Sequence, residues 1–88
     1  METIYKYPLT IVDEQDVPMP RNARLLSVQL NRDHVCLWAV VDPDEDIELR
    51  RIFCHGTGHD VDPNATRHLG TVQMRQGTLV FHFFDSHL

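Results

Sequence analysis

The sequence predicts an all-β domain: a small, mostly antiparallel sheet of about six strands, rolled or barrel-like, with any helix limited to a single turn. Helical three-and-four spacing of apolar residues is missing along the chain. β-branched and aromatic residues recur instead in short runs, separated by the turn-rich stretches "PMPRN", "NRDH", "DPDED", "GTGHDVDPN" and "RQGT". The runs also bring apolar side chains into line when folded against one another across those turns.

Taken in order, Thr3–Tyr7 is the first strand. Asp13, Glu14 and Asp16 precede "VPMP", where Pro18 and Pro20 work against regular ladder pairing, so this segment is expected to cover a sheet edge or run over the surface. Leu25–Leu30 and Val35–Val41 form a hairpin if Arg32-Asp33 is its two-residue turn. Leu30 then faces Val35, Val28 faces Leu37 and Leu26 faces Ala39, all on one side. The strand "VCLWAVV" is apolar on both sides, which suits a central strand, a closed barrel or a dimer. A second hairpin, centred on Glu45, leads into Glu48–Cys54 and sets Leu37 against Phe53, Val41 against Leu49 and Cys36 against Cys54. A turn at Gln76-Gly77 joins Leu69–Met74 to Leu79–Phe84, with Met74 facing Leu79 and Val72 facing Phe81.

With 88 residues, 1–88 form one domain with no room for a second core. So short a chain buries a modest share of its surface, and self-association as a homodimer is the expected way to bury more. The net charge is −5, from 13 acidic and 8 basic side chains. That balance argues against a direct grip on nucleic-acid phosphates and allows an acidic surface for a basic partner. No apolar stretch is long enough to span a membrane, and "METIYKYPL" lacks the apolar run of a signal peptide. A cytoplasmic protein with reduced thiols is expected. A Cys36–Cys54 bridge is open geometrically, but buried core thiols fit that compartment better.

The stretch "RIFCHGTGHDVD" gathers residues that could carry chemistry. A phosphate loop would need more glycines, a lysine and a following helix, and none is present; Gly56-Thr57-Gly58 reads as a turn. His55 and His59 share a face only in a helix, and glycines intervene. A site assembled in space from His55, His59, Asp60 and His68 is conceivable, but no metal or other cofactor is expected. Adjacent strand positions send Cys54 and His55 to opposite faces, which separates a thiol nucleophile from its base. Ser27 and Ser86 are the only serines, and no serine–histidine–acid set stands out, so no enzymatic activity is expected. The loop His55, Gly56, Thr57, Gly58, His59 remains the centre of an alternative reading, a small-ligand or metal-binding module.

The run "DPDEDIE" places Asp42, Asp44, Asp46 and Glu48 at alternate positions, as a calcium loop begins. The match then fails, because Ile47 stands where glycine is needed and Phe53 where the bidentate glutamate belongs. Asp42, Asp44, Glu45, Asp46 and Glu48 read instead as a solvated tip that could engage lysines or arginines of a partner protein.

The ordered blocks "IYKYPL", Asp13–Gln15, "LSVQ", "CLWAVVDP", "GTGH", "GTVQM" and "VFHFF" resemble an uncharacterised family of short proteins found in tailed phages and bacterial prophages. The resemblance covers nearly the whole chain, and the tail "DSHL" falls outside it. It implies no catalytic residues. It does imply a small accessory protein in a bacterial host cell that binds a host or phage protein, and by analogy an inhibitor of a defence system such as CRISPR or restriction.

Overall fold

A computed structural model describes residues 1–86 of the chain; His87 and the end of the "DSHL" tail lie outside the described residues. The elements are β1 (Thr3–Pro8), β2 (Glu14–Pro20), β3 (Arg24–Asn31), β4 (His34–Val41), β5 (Ile47–Gly56), β6 (Arg67–Met74) and β7 (Leu79–Asp85). The domain is all-β, and no helix occurs among the described residues. The strands form two antiparallel sheets, a 3-stranded one in the order β1-β4-β3 and a 4-stranded one in the order β2-β5-β7-β6. The molecule is 15 Å thick along its shortest axis, as expected for two sheets stacked about 10 Å apart.

Strand alternation decides what fills the gap between the sheets. Val35, Leu37, Ala39 and Val41 of β4 face inward with Val28 of β3, meeting Met19, Ile52, Cys54, Val72 and Phe83 of the other sheet in one buried cluster. Met19, Leu37, Ile52 and Phe83 have no exposed surface, so truncating any of them would open a cavity costing about 2–5 kcal/mol.

Where β3 approaches β6 the gap closes almost completely. A Cβ on Gly70 would stand 2.1 Å from the Val28 carbonyl oxygen, a position only glycine tolerates. A buried ion cluster ties the same region together. Asp85, 1% exposed, accepts from Arg67 Nε at 2.7 Å and from Arg50 Nη2 at 3.3 Å, while Arg50 Nη1 reaches the Ala23 carbonyl at 2.8 Å just before β3. Arg67 and Arg50 thus join β5, β6 and β7 through Asp85, and Arg50 adds a link to the residue just before β3.

Of the expected hairpins, the first and last are present. Arg32 and Asp33 have φ of 52° and 68°, the left-handed pair of a type I′ turn. Leu30 pairs with Val35 and Val28 with Leu37, but a bulge at Leu26 brings Leu25, not Leu26, opposite Ala39. Met74 pairs with Leu79 and Val72 with Phe81, with Arg75 and Gln76 of the connecting loop also at positive φ.

The Glu45-centred hairpin does not form. β4 and β5 lie in different sheets, so Leu37 does not pair with Phe53, nor Val41 with Leu49, and Cys36 and Cys54 are separate free thiols. β5 pairs instead with β2 and β7. The proline segment is therefore a strand of its own. The Cys54 amide donates to the Asp13 carbonyl, which places odd-numbered β2 residues in the ladder and turns the nitrogens of Pro18 and Pro20 toward the open edge. Proline is harmless there because no donor is needed. The rolled or barrel-like form gives way to this pair of open sheets.

Candidate functional site

Residues 42–46 are the strand-free link that carries the chain from one sheet to the other. Asp42 shapes it: its Oδ1 accepts from the Asp44 amide at 3.0 Å, and its carbonyl accepts from the Glu45 amide at 3.1 Å. The Met1 ammonium lies 3.8 Å from the same carboxylate. The Asp46 carbonyl accepts from the Arg21 amide at 2.7 Å, fixing the far end. Glu48 sits 4.0 Å from Arg50. That leaves Asp44, Glu45 and Asp46, all exposed, with no ion pair to their carboxylates among the described residues.

These carboxylates have apolar neighbours. Ile47 and Leu49 occupy alternate positions of β5, each 64% exposed, and Leu49 pairs with exposed Pro18 of β2. Farther along that face Arg51 bridges Asp16 Oδ1 at 2.6 Å and Glu14 Oε2 at 2.7 Å, and the Arg51 hydrogen bond holds the Asp16 carboxyl below its ordinary range. The end of the face near residue 44 therefore keeps its charges free, while the middle is self-neutralised.

The 55–60 loop closes the opposite end of β5. Gly58 has φ +88°, the His59 amide donates to the Gly56 carbonyl at 3.1 Å, and the His59 ring lies over Gly56. His55 pairs with His82 of β7, and His82 with Thr71 of β6. The His82 ring spans two hydroxyls, Thr57 at 2.8 Å and Thr71 at 2.9 Å, and Thr71 also meets His68 at 2.9 Å. His55 Nε2 accepts from the Asp62 amide at 3.2 Å, and the His55 and His68 rings flank Phe84.

The imidazoles thus line one sheet face but point to hydroxyls, an amide and an aromatic ring. Among the described residues no three His, Cys, Asp or Glu side chains could hold a metal ion together, so His55, His59, Asp60 and His68 do not converge on one centre. A cleft of about 440 Å³ does open beside the loop, lined by Asp13, Glu14, His55, His59, Asp60 and Asp62 among others. Cys54 faces the core, away from His55; burial first, and Asp13 second, push its thiol up to about 11, so it stays protonated at neutral pH.

Sequence reasoning missed His82 and Thr71, because their roles depend on β7 lying between β5 and β6. It also missed the exposed pair Ile47 and Leu49, because the strand was read as starting at Glu48 and the assumed β4–β5 hairpin set Leu49 against Val41 inside one sheet.

Residues 1–87 match the model of a domain of unknown function, DUF7352. No curated protein and no solved structure matches the chain.

Proposed function

The chain belongs to the DUF7352 family, a domain of unknown function, and from that premise we propose that it acts without catalysis, by stoichiometric contact with another protein through the β4–β5 link. One observation carries the reading: the unpaired carboxylates of Asp44, Glu45 and Asp46 stand beside Ile47 and Leu49, each 64% exposed. Large apolar side chains left in water next to free charge suit an interface, where the apolar groups supply affinity and the carboxylates supply orientation and association rate. The partner is accordingly a protein with a basic surface. The resemblance to short phage and prophage proteins supports a bacterial cytoplasm as the setting, and a CRISPR complex or restriction enzyme as the kind of host protein engaged, since such proteins need basic surfaces to hold nucleic acid.

The test is affinity capture from a host lysate with mass spectrometry, using the wild-type chain, a triple variant Asp44→Lys, Glu45→Lys, Asp46→Lys, and Leu49→Ser. Asp42 is left alone because it shapes the turn. Both variants should keep the wild-type melting temperature and lose the captured protein. Undiminished capture by both removes the reading.

The cleft at residues 55–62 favours a second reading, a small-ligand module, and its carboxylates suit a cationic ligand. A polyamine that raises the melting temperature of the wild-type chain, but not of an Asp13→Asn, Asp60→Asn variant, would support it.

A further inference from the structure

The four sheet edges of this protein are not equivalent. β3 and β6 close on each other at Val28 and Gly70. β2 ends its sheet with Pro18 and Pro20 on the open side, which removes amide donors from that edge. β1 ends the other sheet with no such protection. It is exposed along Thr3–Lys6, carries no proline before Pro8, and presents Ile4 at 58% and Tyr5 at 41% exposure.

Which groups β1 offers follows from its ladder. The Leu9 amide donates to the Val35 carbonyl, directly opposite in the β1–β4 register, so odd-numbered residues bond to β4. The amides and carbonyls of Glu2, Ile4 and Lys6 point away from the sheet, toward the open edge. Their side chains share one face, with Ile4 next to Val40 and Lys6 next to Trp38.

We propose that β1 is a homodimer interface, in which β1 of a second copy pairs with it antiparallel about a two-fold axis through Ile4. In that register Ile4 meets the partner's Ile4, Glu2 meets the partner's Lys6, and Lys6 meets the partner's Glu2. Every one of these is a pair of outward-facing residues, as main-chain bonding requires, and the charges are complementary on both sides of the axis. Centring on Lys6 sets Lys6 against Lys6, like charge against like, and Ile4 against Pro8. Centring on Tyr5 instead sets Ile4 against Lys6 and Glu2 against Pro8, which has no amide to give. The sequence of the edge selects one register. The product is a continuous sheet running β3-β4-β1 into β1-β4-β3 of the second copy, with the acidic link of each copy left free.

The experiment is sedimentation equilibrium across micromolar to millimolar concentrations. Wild type should be a monomer–dimer system. Glu2→Lys alone and Lys6→Glu alone should each weaken the dimer about tenfold, because each turns two attractive pairs into two repulsive ones. The double swap Glu2→Lys, Lys6→Glu should restore it. Ile4→Pro, which removes an outward amide, should give a monomer; the exposed swaps serve as the check if that variant folds poorly. A monomer at every concentration overturns the proposal, and so does a dimer indifferent to the single swaps or not rescued by the double one. Capture of the host partner by the β4–β5 link is read separately and does not depend on this outcome.

Discussion

Asp85 and Arg67 stand opposite each other on β7 and β6, and the 1% exposed carboxylate takes Arg67 Nε at 2.7 Å and Nη2 at 2.5 Å. A buried charge of this kind is tolerable only because both its oxygens are occupied, with Arg50 as a further partner. The hydrogen bonds from Arg67 to Asp85 push the Arg67 guanidinium up. Removing one partner leaves the other buried or misplaced. Asp85→Ala should lose about 3 kcal/mol, the low end for a broken buried pair because Arg67 is a third exposed. Urea unfolding measures this directly. A loss below about 1 kcal/mol would mean that the cluster sits in wetter surroundings than its burial indicates.

Gly70 is the contact point between the sheets, and its substitution tests the packing without touching any charge. The methyl of Gly70→Ala would have to displace the Val28 main chain, whose carbonyl oxygen lies 2.1 Å from where the new Cβ must stand. The expected cost is about 3 kcal/mol in urea unfolding, the upper part of the overpacking range. Gly58→Ala, where nothing lies within 4 Å, should cost less, its penalty being only the positive φ of 88°. An equal loss at both sites would contradict the close approach of β3 to β6.

How far the sequence disclosed this arrangement depended on whether the relevant contacts were local. The Arg32-Asp33 and 75–78 turns join strands neighbouring in sequence, so alternation and turn chemistry placed Val28 against Leu37 and Val72 against Phe81. The 42–46 link looks like another hairpin turn by the same criteria, yet it carries the chain between layers. Nothing local separates the two, because β4 and β5 are apolar enough to suit either sheet. Pro18 and Pro20 disguised β2 for a related reason: their cost depends on which side of the strand their nitrogens face, and that is set by β5. The acidic residues were visible, whereas the exposed Ile47 and Leu49 beside them emerged only once β5 had been given its true neighbours.

Stability should fall at alkaline pH in a way set by two buried groups. Burial raises Cys54 from its ordinary 9.0 to about 11, and burial with help from Tyr5 raises Tyr7 above its ordinary 10.0. For an acid whose folded value is raised, the unfolded chain loses its proton first. The stabilisation is therefore complete below the unfolded value and is lost as pH rises through the folded one. For Cys54 that window runs from about pH 9 to about pH 11. Cys54→Ala should flatten the fall in urea-unfolding stability between those values, and native Cys54 should resist alkylation at pH 8. An unchanged slope in the variant would show that the thiol ionises in the folded protein as it does in the unfolded chain.

Tyr7 carries the one buried side-chain polar atom left without a hydrogen-bond partner among the described residues, its hydroxyl. The ring packs against the core while Tyr5 meets it edge-on, with centroids 6.3 Å apart. The ring therefore stabilises the sheet and the hydroxyl opposes it, since an unsatisfied buried hydroxyl costs about 1–3 kcal/mol. Tyr7→Phe keeps the ring and removes the cost, so it should raise stability by about 1 kcal/mol and shift the melting temperature upward by several degrees. Tyr7→Ala should do the opposite and lose about 3 kcal/mol with the ring. Differential scanning calorimetry of the two variants separates the contributions. Destabilisation by Tyr7→Phe would mean that the hydroxyl has a partner in solution, a bound water or a group from a second copy, and that β1 at the open edge is held by more than its ladder to β4.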